Sequence, residues 1–282
     1  MRYLKKTFEY LFLLEKSKRF FIIFLFLLPV GCVFSWLMPS GNYIRLLMNY
    51  DSEPKKFFAI WTFDSNMLEY VLALVFTFVI LIFCVSIIIS VITRSFRIGV
   101  FKLHKPLTDF NDNFQPVFSA SITYLFTLIA YKVVITTLLG LWKTIENHYL
   151  SLAISIITIC IITILAAILT THISLIVPIM SATGLKLKDA FLKSIQKVGE
   201  SLVPISTGLW IPVMIKAILG SIIALTEIKY LLLGMDILLN TFLFSYLVVY
   251  ILIVYYEIER IKREDYTPHY FEKRAKKQLS KD

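Results

Sequence analysis

Along this chain apolar residues run on in long blocks separated by short polar stretches, without the period-two alternation of a half-buried strand. Six blocks are long enough to span a membrane: 20–38, 70–93, 117–141, 150–172, 202–225 and 231–256. A helix rising 1.5 Å per residue needs about 20 apolar residues to cross a hydrocarbon layer of ~30 Å. Lipid offers the backbone no hydrogen-bond partner, so a span is either a helix or a strand of a closed barrel, and unbroken apolar runs exclude the barrel. The expected fold is all-α: a polytopic bundle of six transmembrane helices forming a single domain over 1–282, with a basic tail at 257–282. The first block follows a basic segment as a signal peptide's core does. It is longer than such a core and lacks a small-residue cleavage site, so it reads as a retained helix.

The polar stretches are informative at two places. Over 186–198, KLKDAFLKSIQKV, the residues Leu187, Ala190, Phe191, Ser194, Ile195 and Val198 recur at helical spacing, with Lys186, Asp189, Lys193, Gln196 and Lys197 mostly on the rest of the wheel. This predicts an amphipathic helix between the fourth and fifth spans, suited to a membrane surface or a docked partner through Lys186, Lys193 and Lys197. The 99–118 stretch repeats its outline loosely, a glycine and a basic run leading to Pro116 as Gly184 and its run lead to Pro204. Residues 39–68 form the one long loop on the other side, aromatic and acidic, with 55-KKFFAIW-61 suited to lie on a leaflet.

Composition agrees. The 282 residues are 58% apolar and 17% charged, with a mean hydropathy of +0.76, against about 25% charged in soluble domains. That excludes a soluble globular or disordered protein. Charge then sets orientation. Of the 29 Lys and Arg residues, 22 flank one side of the six spans and five the other, with Lys132 and Lys216 inside spans. By the positive-inside rule both termini are expected in the cytoplasm of a plasma-membrane protein. The formal +10 therefore indicates an anionic inner leaflet, at about 1 kcal/mol per juxtamembrane cation, as partner rather than nucleic acid.

Catalytic chemistry is not legible. The chain has no G-x-x-x-x-G-K-[ST], H-E-x-x-H, G-x-S-x-G or G-x-G-x-x-G. Cys32, Cys84 and Cys160 lie in different spans, the four histidines are scattered, and no cofactor or metal site is expected. What stands out is ionisable residues inside spans, each costing about 2.5–3.5 kcal/mol at the bilayer centre on insertion scales. These are Lys132, Lys216 and Asp236, with His172 at a span end and Asn240 nearby. Lys216 and Asp236 sit on consecutive antiparallel spans at similar depth, which predicts an ion pair. Snorkelling of the lysines to the headgroups and an anion site or proton relay stay open. Pro29, Pro178, Pro204 and Pro212 add helix breaks.

The run 177-VPIMSATGLKLKDAFLKSIQKVGESLVPI-205, through Pro178, Gly184, Ala190 and Ser194, resembles a segment of bacterial six-helix integral membrane proteins. These are the DUF975-like group and the membrane domain of some glycerophosphodiester phosphodiesterases. The resemblance implies a membrane module and brings no catalytic residues. Asp189-Ala190-Phe191 is also similar to the start of the EAA loop of importer permeases, but Ile195 stands at that loop's glycine and Pro204 comes early. The expected function is a non-catalytic, permease-like transport component working with a protein partner. The alternatives are a scaffold or regulator binding membrane proteins or anionic lipid, and a lipid-modifying enzyme.

Overall fold

A computed structural model describes residues 2–13, 18–37, 67–103, 105–142, 144–225, 228–261 and 263. The loop at 39–66 and the tail from residue 264 lie outside the described residues. The described chain forms helices α1 (Arg2–Phe8), α2 (Lys18–Leu37), α3 (Met67–Ile98), α4 (Pro106–Trp142), α5 (His148–Ile173), α6 (Ile176–Thr183), α7 (Leu187–Gly199), α8 (Leu202–Ala224) and α9 (Lys229–Ile258). A single π-helical turn, Glu9–Leu13, follows α1. Six helical stretches are long and apolar enough to cross a membrane, as the hydrophobic blocks predict, so the architecture is that of a multi-pass membrane protein.

Boundaries differ where polar sequence is buried by other helices. The fourth helix starts at Pro106, eleven residues before the apolar block at 117. Proline suits a first helical turn, and Asp109 there complements the helix dipole. The polar extension is held by α3. Arg94 pairs with Asp109, Ser90 donates to the Asp109 carbonyl at 3.0 Å, and Asn113 donates to Ser90 at 2.6 Å. The fifth helix is followed by a break at Ser174–Leu175 and the short α6, which ends on Gly184 at φ +68°, a backbone state that glycine adopts without strain.

The long helices close a ring, α2–α3–α4–α5–α8–α9 and back to α2, each packed on both neighbours. The short α6 touches α4 and α9, which are not ring neighbours, and Ile176 to Met180 are all buried. It therefore plugs the ring at one end. Ser181 of α6 donates to the Asn113 side-chain oxygen, tying the plug to α4. Both ends of the described chain lie at this plugged end, where Arg2 meets Glu257 at 2.8 Å. The main core gathers there too, from Ile82 to Phe96 on α3 and from Tyr246 to Tyr256 on α9. Towards the other end α4 and α5 share a small separate core, Ile135 and Leu139 with Tyr131, Ile159 and Ile162.

Candidate functional site

The most buried of the six spans is α9. Its approach to α2 depends on Gly31, where a Cβ would fall 2.0 Å from the Thr241 hydroxyl. Small residues allow such approaches in membrane bundles. Along this seam hydrogen bonds run from one polar side chain to the next. Asn240 donates to Ser35 at 2.9 Å, Ser35 to the Gly31 carbonyl at 2.6 Å, and Thr241 to the Ile237 carbonyl at 2.7 Å. One turn above Asn240 stands Asp236, fully buried.

On its other flank α9 meets α8, a helix that carries Pro212 in its interior. Proline has no N–H, so the carbonyl four residues earlier, Gly208, loses its helical donor. Tyr246 supplies one, its hydroxyl donating to Gly208 O at 2.9 Å. Tyr250 donates to Ile205 O at 2.9 Å. Gly208 leaves room for this arrangement, since a Cβ there would lie 2.2 Å from the Tyr250 hydroxyl. These contacts fix the register of α8 on α9. By that register Lys216 stands beside position 238, two residues or about 3 Å along the axis from Asp236. The Asp236 charge acts on the half-buried Lys216 ammonium. Lys132 belongs to α4, and its side chain lies outside the described residues.

The stretch read at 186–198 is helical, as α7. It presents Ala190, Ser194 and Val198 to the bundle, and Ser194 donates to the His172 carbonyl at the end of α5 at 2.5 Å. Its lysines divide. Lys193 and Lys197 reach Glu259, at 3.7 and 3.6 Å, while Lys186 stays exposed. Phe191, Leu192 and Ile195 form an exposed apolar flank. On α1, Arg2 and Lys6 share Glu257, at 2.8 and 2.5 Å. The last turn of α9 thus holds two surface helices through two carboxylates.

Sequence reasoning missed a buried pair of cations. Arg19, counted only as an N-terminal charge, is fully buried, its guanidinium 4.8 Å from the Tyr10 ring centroid and 5.8 Å from that of Phe101. Arg263 lies 4.1 Å from the Phe96 centroid and 5.7 Å from that of Tyr10. Such stacking is worth about 0.5–2 kcal/mol per contact. No local sequence signal marks it, because the rings come from Tyr10 and the distant Phe101. No group of three or more His, Cys, Asp or Glu side chains suited to a metal occurs among the described residues. No family model, curated protein or solved structure matches the chain.

Proposed function

We propose that this chain is a permease-like transport component of the plasma membrane, with both termini in the cytoplasm, working with a protein partner. The observation that carries the reading is Asp236, fully buried on the most buried span, with Lys216 of the neighbouring helix at nearly the same depth. An isolated charge at this depth is costly, and bundles retain such groups chiefly on substrate, ion or proton paths. The ring of six helices gives a path its walls, and α6 gives it a plug at the end where the termini lie. The helix break at Ser174–Leu175 would serve that plug as a hinge and the hydrogen bond from Ser181 to Asn113 as a latch. The orientation rests on the excess of Lys and Arg at the plugged end. The partner's docking face is α7, through Lys186 and the apolar flank of Phe191, Leu192 and Ile195.

The test is a transport-dependent growth phenotype in a deletion strain. Lys216→Leu with Asp236→Leu is expected to abolish complementation while the protein still inserts and accumulates. Lys186→Glu with Phe191→Ser is expected to release the partner on mild-detergent purification and leave the bundle folded. Full complementation by the double leucine variant would exclude a path through these residues. A scaffold or regulator, binding membrane proteins or anionic lipid without transporting anything, is the reading that outcome would favour.

A further inference from the structure

Asn240 keeps a polar atom that the α2–α9 seam does not use. Ser35 gives its only proton to the Gly31 carbonyl, at 2.6 Å, so towards Asn240 it acts as an acceptor. That fixes the Asn240 amide with its nitrogen on Ser35, at 2.9 Å, and its oxygen turned away. The side chain is fully buried, and Oδ1 has no donor among the described residues. Thr241 does not supply one, because its hydroxyl donates to the Ile237 carbonyl at 2.7 Å. A helical side chain leans towards the N-terminus, over the residue four positions earlier, and that residue is Asp236. Two fully buried oxygen-bearing side chains therefore stack on one face of α9, with Asp236 about 10 Å from the helix start at Lys229.

A buried amide oxygen without a donor is costly. An ionised Asp236 has no proton to offer it, whereas the neutral acid has one. We propose that Asp236 is a proton-binding site, its neutral acid donating to Asn240 Oδ1, and that the bound proton alternates with the Lys216 ammonium as the partner of the carboxylate. In one state Asp236 is ionised and attracts Lys216. In the other a proton from water adds to a carboxylate oxygen, the new O–H bonds Asn240 Oδ1, and the ammonium is released still charged. A divalent cation fits less well, since it takes about six to eight oxygens, and no group of three acidic, His or Cys side chains occurs among the described residues. Of the helices packed on α9, α8 brings Lys216 as its one ionisable residue. Cys32 of α2 is exposed, and Lys18 and Arg19 begin that helix at the plugged end. Cys84, Arg94 and Arg97 of α3 also lie nearer the plugged end, where α1 and α6 make their contacts. The side chains of Glu69 and Tyr70 lie outside the described residues. As the coupling ion of a transport path the proton rests on the reading above, but its binding does not.

The experiment is infrared difference spectroscopy of the full chain in phosphatidylcholine across a pH titration, which reads the C=O band of a neutral carboxylic acid directly. A band that grows on acidification and is lost in Asp236→Asn is expected. In Asn240→Leu that band moves to higher frequency, because the acid has lost its acceptor. In Lys216→Leu it persists to a pH about 1–3 units higher, because the competing cation is gone. Lys216→Leu leaves the α2–α9 seam untouched, so it keeps the test readable if Asn240→Leu does not fold. No Asp236 band at any pH at which the chain stays folded would mean a permanent ion pair and overturn the proposal. So would an unmoved band in Asn240→Leu or an unshifted midpoint in Lys216→Leu. Loss of the band on adding sodium at constant pH would assign the site to a metal cation and also overturn it. None of these readouts needs transport. An Asp236 that titrates in this way supports the proton site even where the double leucine variant complements fully, an outcome that removes the path alone.

Discussion

Tyr246 and Pro212 form a unit that neither residue explains alone. Proline in a span removes a donor in a medium with no water to replace it, and a buried carbonyl left bare costs about 1–3 kcal/mol. The Tyr246 hydroxyl, at 2.9 Å from Gly208 O, removes that cost. Tyr246→Phe is therefore expected to lower stability in detergent by about 1–3 kcal/mol. In a Pro212→Ala background, where residue 212 again carries an N–H, the same change is expected to cost much less. A thermal-unfolding double-mutant cycle measures the coupling, and additive losses would show that the hydroxyl does not serve this carbonyl. Arg260 makes the opposite case. It ends α9 at φ 52°, with Ile261 N–H bonded to Tyr256 O at 2.9 Å and Arg260 N–H to Glu257 O at 3.3 Å. This is a Schellman turn with arginine at the position that favours glycine. Arg260→Gly relieves about 1 kcal/mol of backbone strain, so a higher melting temperature is expected.

At the scale of elements, the acidic end of α9 is the informative one. Glu257 and Glu259 stand at a helix C-terminus, where the helix dipole disfavours negative charge. Their placement makes sense through the helices they hold, α1 by Arg2 and Lys6 and α7 by Lys193 and Lys197. Partly exposed ion pairs contribute about 0–1 kcal/mol each, so they orient a surface helix more than they stabilise the fold. Glu259→Gln is expected to speed amide exchange over 187–199 a few-fold and leave Arg2–Phe8 unchanged, while Glu257→Gln does the reverse. Uniform exchange in both variants would mean that apolar packing alone seats these helices. The division of the α7 lysines also refines the docking expectation. Charge reversal at Lys193 or Lys197 disturbs an intrachain clamp as well as any partner, and only Lys186 reports on docking cleanly.

The whole molecule is packed unevenly. The plugged end carries the continuous core, the buried arginines, α6 and the ion pairs of Asp109, Glu257 and Glu259. Towards the other end α4, α5 and α8 expose long apolar faces. An orientation with the plugged end in the cytoplasm places the basic surface against the anionic leaflet. In a variant lacking native cysteines, a cysteine at Asn147 is expected to react with a membrane-impermeant thiol reagent in intact cells. A cysteine at Lys5 is expected to react only after lysis. The opposite pattern would invert the topology and place the plug at the outer face.

The sequence by itself determined the all-helical class, the six apolar spans and the short helix of 187–199. A backbone in lipid satisfies its own hydrogen bonds, so apolar length translates directly into helix. The period of Ala190, Ser194 and Val198 marks a face whatever it packs on. Its reach stopped where the physics became non-local. The polar start of α4 at Pro106–Asn113 looks like a loop until Arg94, Ser90 and Ser181 are seen to hold it. Arg19 looks like one more topology-setting cation until the fold closes Tyr10 and Phe101 around it. Lys216 and Asp236 were legible as costly, but the register that sets them about 3 Å apart in depth comes from Tyr246 and Tyr250 reaching the carbonyls of a proline-containing helix. Which buried polar group meets which partner depends on how the helices pack sideways, and sideways packing in a membrane is decided by shape and hydrogen bonds that hydropathy does not encode.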